Sequence, residues 1–311
     1  MGVQSESALK KAHDLIQNCE INQAKDLLQS CYASDYENID INFAIRSCNF
    51  WNDTLSFLSG VNHFEDGEVL VSHWKQYDEF ISNEKIQPLE ETVYSFMKCV
   101  YSRALSEYSR SDPGKDQRLK AETERKIGLC YKKLGSYETA LTHLVKARKE
   151  LPQSAAILAE MADCYELCGE IKTAKILFRE AFFKNPDEID MSFLNSPTIS
   201  LLAKEVKKAN IEDRLIPDWM PVYGTILGVF NVKRELRSVE FAHLQQDIFS
   251  LEKEMNEPAR DKEKIKPRLL NHYIWLLDYL VISRASASKI TEVNLKLKLL
   301  DPDIAEKLKR Q

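Results

Sequence analysis

The sequence predicts an all-α protein built from tandem helical hairpins, and three observations carry that prediction. A 34-residue period runs through the middle of the chain, with one copy starting at residue 121 and the next at 155. Only 9 of 311 residues are glycine, well under the roughly 7% average, so long stretches run without a breaker. Few β-branched runs alternate with period two, as half-buried strands would. A hydrophobic content of 44% lies near the ordinary globular range and argues against disorder. A stack of hairpins also accommodates the length, because it grows by adding units rather than by enlarging one core.

The period has physical content at each matched position. Ile127, Gly128, Tyr131, Gly135, Tyr137, Ala140, Leu144, Ala147 and Pro152 align with Met161, Ala162, Tyr165, Gly169, Ile171, Ala174, Phe178, Ala181 and Pro186. Gly128 and Ala162 are small where two helices cross closely, and Tyr131 and Tyr165 fill the gap one turn on. Gly135 and Gly169 suit a left-handed helix cap, which costs other residues about 1 kcal/mol or more. Ala140 and Ala174 let the second helix approach the first, and Ala147 and Ala181 let it approach the next unit. Pro152 and Pro186 close the second helix, since proline cannot continue the hydrogen-bond ladder.

This spacing resembles the tetratricopeptide repeat, a helix, a tight turn and a second helix, clearly over 121–188 and in degenerate form elsewhere. The resemblance implies a right-handed superhelical solenoid with a C-terminal helical region and a capping helix. It also implies binding to other proteins rather than chemistry.

Four segments follow. Residues 1–111 read as degenerate helical repeats. In the first, over 5–38, Ala12, Leu15, Ile21, Ala24, Leu28 and Cys31 hold the repeat positions and Asn18-Cys19 replaces the turn glycine. The next is expected as two helices, 39–48 and 52–60, separated by a turn at 49–52, with Trp51, Leu55 and Leu58 inward. Two longer helices, 65–83 and 88–110, carry apolar faces at helical spacing, Trp74, Tyr77, Phe80 and Ile81 on one, Val93, Phe96, Met97, Val100, Tyr101 and Leu105 on the other. Pro88 stands at a first-turn position.

Asp112-Pro113-Gly114 marks a linker, after which 112–188 holds the two well-formed units. Residues 189–264 form an irregular helical segment: a loop to Ser196-Pro197, a helix over 198–210, a two-proline turn at 217–221, and an apolar stretch in which Gly224 and Gly228 suggest close packing. Helix 238–256 spaces Phe241, Leu244, Ile248, Leu251 and Met255 as a short coiled-coil seam, which serves either a neighbouring helix or a homodimer. Residues 265–311 form a degenerate hairpin, 266–284 and 286–300, whose Leu299-Leu300-Asp301-Pro302 resembles the last turn of a repeat, followed by a polar capping helix.

Chemistry leaves little trace. There is no phosphate-cradling glycine loop, GxSxG elbow or HExxH, so no catalytic residue, cofactor or metal is expected. The six histidines are scattered. Cys164 and Cys168 share a helix face, yet no further His or Cys completes a metal site. Seven cysteines without a CxxC pair suit a reducing compartment. Asp278, inside an apolar run, is expected to point outward or to pair with a base. The net charge of −5 defines no partner class, although residues 1–111 carry 9 Lys and Arg against 17 Asp and Glu, and residues 257–311 carry 12 against 8. The basic run at 262–268 is interleaved with acids and lacks an aromatic platform, so no nucleic acid is expected. No apolar run reaches the ~18 residues of a membrane span, and the start has no secretory character. The expected location is the cytoplasm, or outside it if a signal has been removed.

By repeat position, the groove-facing residues are Glu122, Arg125, Leu129, Lys132 and Lys133 in the first clear unit, and Ala156, Ala159, Asp163, Glu166 and Leu167 in the second. Lys132 and Lys133 are expected to lie off the packing positions. Some members of the family grip a C-terminal carboxylate with Lys, Asn and Arg residues. Here Arg125 fills a basic position of that clamp, but Leu129 and Glu160 stand where asparagines belong. The expected function is a non-enzymatic scaffold or adaptor that assembles a multiprotein complex by binding partner segments in the groove. Two alternatives are a chaperone that holds a client segment before assembly or export, and an enzyme or regulator with accessory repeats.

Overall fold

Every regular element in the computed structural model, which describes residues 3–33, 35–83 and 89–309, is helical. These residues form fifteen α-helices and three short 3-10 turns, with no strand. The chain divides into two compact units, Met1–Leu151 and Pro152–Gln311. The division falls inside the 112–188 segment marked by the repeat.

The first unit contains α1 (Val3–Gln17), α2 (Ile21–Tyr32), α3 (Ile39–Ser56), α4 (His63–Asn83), α5 (Glu90–Arg110), α6 (Gln117–Lys133) and α7 (Tyr137–Glu150). The second contains α8 (Ala155–Leu167), α9 (Ile171–Lys184), α10 (Pro197–Lys208), α11 (Ile216–Ile226), α12 (Ser238–Asn256), α13 (Lys262–Ile282), α14 (Ala287–Leu300) and α15 (Pro302–Lys309). Within each unit, helices pack mainly on their sequence neighbours: α1 on α2, α4 on α5 and α6 on α7, then α8 on α9, α12 on α13 and α13 on α14. This is the packing of a tetratricopeptide-like helical repeat.

One turn geometry recurs. Gly135 and Gly169 have φ of +82° and +87°. The Gly135 N–H donates to Lys132 O at 3.0 Å and the Ser136 N–H to Tyr131 O at 2.9 Å. Gly169 donates to Glu166 O at 2.9 Å and Glu170 to Tyr165 O at 2.8 Å. These bonds satisfy carbonyls that the helix end leaves without partners. Cys19, with φ of +61°, repeats the pattern through Ile16 O and Leu15 O at 2.8 and 2.9 Å. Arg284, at +53°, repeats it through Val281 O and Leu280 O. The degenerate hairpins thus keep the turn of the clear ones without its glycine.

The small residues behave as the period requires. A Cβ on Gly128 would stand 2.9 Å from Leu144 Cγ and 3.2 Å from Ala140 O, so α6 and α7 touch there. Ala140, Ala147, Ala174 and Ala181 are fully buried. Tyr131 stacks on His143, ring centroids 5.3 Å apart.

Four expectations change. Helix α3 runs unbroken through 49–52, because Ser47, Cys48, Trp51 and Thr54 continue one buried face and packing overrides the turn preference of two asparagines. Trp51 anchors an aromatic cluster with Trp74, Tyr77 and Phe96 at centroid distances of 5.3–6.3 Å. The two-proline segment is helical and belongs to α11. Pro217 sits in the first turn, where its missing N–H is not needed, and Pro221 follows four residues later, so only the Pro217 carbonyl loses a helical donor. The helix expected over 266–284 starts earlier, at Lys262, and so takes in the basic run at 262–268. Finally, Cys19 and Cys99 form a disulfide across 80 residues, while Cys31, Cys48, Cys130, Cys164 and Cys168 remain outside any disulfide. That pairing departs from the reduced state suggested by the cysteine usage. Pro88 lies outside the described residues.

In the second unit the coiled-coil spacing of α12 is used internally. Leu244 and Ile248 are buried in a cluster with Leu269, Leu270 and Tyr273 of α13, and Phe241 stacks on Tyr279 at 4.0 Å. Asp278 meets two bases: Arg179, and Lys233 at 2.9 Å. Arg179 also donates to Val232 O at 2.6 Å and lies 4.4 Å over the Trp275 ring. The C-terminal helix α15 closes the cluster with Ile304 and Ala305.

Candidate partner-binding surfaces

The residues that the period assigns to a groove fall into both units and have different surroundings. On α6, Glu122 and Arg125 pair with each other at 2.8 Å across one turn and keep partial exposure. Leu129 is fully buried, and Lys132 is only 3% exposed. Lys132 therefore belongs to the interior, contrary to its expected place off the packing positions. Lys133 is half-buried and faces Asp78 of α4, whose carboxyl is raised by burial against the opposing pull of Lys133. Neighbouring Lys126 bonds Glu68 of α4 at 2.7 Å, and Tyr108 of α5 donates to the same carboxylate at 2.6 Å. Charges on α6 thus serve in part to hold α4, α5 and α6 together.

On α8, Ala159 and Asp163 are buried, while Ala156, Glu166 and Leu167 are half-buried. Asp163 accepts the backbone N–H groups of Asn195 and Ser196 at 2.9 and 2.8 Å. Glu166 accepts that of Thr198 at 2.8 Å. The side chain of Ser196, the N-cap of α10, makes no capping bond. The two carboxylates of α8 supply what the cap lacks, satisfying first-turn donors and meeting the positive end of the helix dipole. The alanine and leucine positions are what remains for contact outside the chain.

Sequence reasoning missed a cleft of about 710 Å³ in the first unit, lined by α1 and α5. Helices α1 and α5 run side by side in the same direction, as the pairings show. His13 bonds Thr92 at 2.9 Å, Gln17 bonds Ser95 at 3.3 Å, and Cys19 joins Cys99. Among the described residues, Glu6, Asp14, Asp40, Glu90 and Glu91 line the cleft with Lys10 as the one lysine. Burial holds the His13 pKa below its ordinary value, against the pull of Glu91. The acidic excess of residues 1–111 was the available signal, but composition cannot say which carboxylates converge.

Among the described residues, His63, Asp66 and Glu107 are the three side chains close enough to share a metal ion. Each is already engaged. Asp66 accepts the N–H groups of Ser59 and Gly60 at 2.9 and 2.8 Å, and Glu107 binds His63 at 2.8 Å and Arg103 at 3.0 Å. Such bonding describes a structural staple between α4 and α5.

Residues 132–192 match the tetratricopeptide repeat family model. The match spans the second helix of the first clear hairpin and the whole of the second. A search of curated proteins gave no match. Among the described residues, no helix is long and apolar enough to cross a membrane.

Proposed function

We propose that this chain is a non-enzymatic adaptor that captures segments of partner proteins and so helps to assemble a multiprotein complex. The observation that supports the reading best is the pair of hairpins with matching glycine caps, both caps lying inside the segment that matches the repeat family. Hairpins of this kind present rigid helix faces to which a partner helix or extended peptide can dock. The contact residues are the partly exposed ones: Glu122, Arg125 and Lys133 on α6, and Ala156 and Leu167 on α8. Leu129 and Lys132 lie beneath the face of α6, and Ala159 and Asp163 beneath that of α8. In the first unit, the acidic opening between α1 and α5 adds a preference for basic segments.

The test is affinity capture from the native cell with quantitative mass spectrometry, comparing the parent with Lys133→Glu and Leu167→Asp, each checked by thermal melting. An adaptor retains partners at fixed stoichiometry, and at least one variant loses them at an unchanged melting temperature. Retention of every partner by both variants would remove these faces from consideration. A client that exchanges and is absent from the mature assembly would identify a chaperone instead.

A further inference from the structure

The second unit has a half-open cavity of about 260 Å³ between the end of α9 and helices α11, α12 and α13. The positive charges on its walls already face acids, although Arg268 Nη2 meets no acceptor in good hydrogen-bond geometry. Arg268 donates from Nε to Asp218 at 2.5 Å and pairs with Asp187 at 2.8 Å. Lys184 donates to Gln153 and lies 3.8 Å from Glu180. The acceptors are not so committed. Asp247, 56% exposed, has His272 as its nearest base at 4.0 Å, beyond hydrogen-bond reach. Glu254 accepts the hydroxyl of Ser250 at 3.1 Å and meets no lysine or arginine among the described residues.

Two further groups face the same space. The Nδ1–H of His272 donates to Arg268 O at 2.8 Å, so the neutral ring carries its lone pair on Nε2. Burial lowers the pKa of His272, which favours that neutral form. Asn271 is 4% exposed and lines the cavity. Its amide atoms are not among the fully buried polar atoms that lack a partner, so the carboxamide opens onto the cavity. Phe183 completes the wall, its ring 5.0 Å from His272.

We infer that this cavity receives the arginine side chain of a partner polypeptide. Two unpaired carboxylates, a ring nitrogen and a carboxamide oxygen form an acceptor set for a cation with several N–H donors, and an aromatic ring beside them favours a planar one. A guanidinium offers five donors in a fixed plane, where an ammonium offers three at a point. A peptide-borne arginine suits the site better than the free amino acid, whose α-carboxylate would approach Asp247 and Glu254. No residue of the α6 and α8 faces lines this cavity, so the inference stands whether or not those faces bind.

The experiment titrates the full chain with acetyl-Gly-Arg-Gly-amide, following the side-chain amide of Asn271 by two-dimensional NMR. Parallel titrations use the citrulline peptide (the same shape without the charge), the lysine peptide, free L-arginine and inorganic phosphate. The arginine peptide should saturate the Asn271 shift and bind at least about tenfold tighter than the citrulline peptide or free arginine. Asp247→Asn, at an exposed position, and Glu254→Gln, at a half-buried one, should each weaken it about tenfold without moving the melting temperature. No Asn271 shift, equal binding of the citrulline peptide, or unchanged affinity in both variants would overturn the inference. Tighter binding of the lysine peptide would overturn the choice of guanidinium, and equal binding of free arginine would overturn the polypeptide source. Saturation by phosphate would reassign the cavity to anions.

Discussion

The carboxylate of Asp163 on α8, fully buried, accepts the backbone N–H of Ser196 at 2.8 Å and so fixes the start of α10. The bond replaces a capping bond that the Ser196 side chain does not make. A residue whose repeat position assigns it to a binding groove therefore acts inside the fold.

Asp163→Asn should destabilise the second unit by about 1.5–3 kcal/mol, the range for hydrogen bonds to a charged group. The amide retains one acceptor in place of two charged oxygens. Urea unfolding gives the magnitude, and hydrogen exchange at the Ser196 amide should accelerate. An unchanged midpoint with unchanged exchange would show that the carboxylate is dispensable there.

Close contact between paired helices leads to a second expectation. Gly128→Ala brings a methyl against Leu144 and the Ala140 carbonyl, and Ala174→Leu enlarges a fully buried position. Each should cost roughly 1–3 kcal/mol through overpacking. Variants that melt like the parent would show that the helices do not meet at these residues.

The Cys19–Cys99 disulfide can be counted directly. Denatured, unreduced protein should titrate 5 thiols rather than the 7 in the sequence. Cys99→Ser should lower the stability of the first unit by about 2–4 kcal/mol, and a dithiol reductant should produce the same loss in the parent but none in the variant. A count of seven would show that the two thiols are merely neighbours.

Acid sensitivity should trace in part to Glu240. Its hydrogen bond to Arg234 comes first among the causes that hold its pKa at about 2, below the ordinary 4.5. A depressed folded-state value means stability that is present above pH 4.5 and is lost as pH falls towards 2. Glu240→Gln should remove that contribution at neutral pH and flatten the loss between the two values. Urea midpoints at closely spaced pH check this, and parallel acid limbs for parent and variant would refute it.

Much of the local structure was legible before any coordinates. Gly135 and Gly169 announced their turns because a positive φ excludes most side chains. Ala140 and Ala174 marked close helix contact because any larger group would part the helices. Asp278 was expected to face outward or find a base, and it finds Arg179 and Lys233. Other signals misled for identifiable reasons. The asparagines at 49 and 52 have a turn preference, but the aromatic cluster around Trp51 rewards a continuous helix. Asn18-Cys19 was expected in place of a turn glycine, and the pairing of Cys19 with Cys99 was not visible in that position.

The sequence by itself determined that the chain is helical, where its clear hairpins lie and how they turn. Those features depend on spacing within one or two helical turns, which a linear pattern records in full. Tertiary structure alone decided that Lys132 and Asp163 are interior, that acidic side chains from α1, α3 and α5 line one cleft, and that Asn271 and His272 meet Asp247 and Glu254 around a cavity. Burial and charge balance depend on which distant segments are packed together, and a periodic pattern specifies the face a residue occupies without specifying what lies against it.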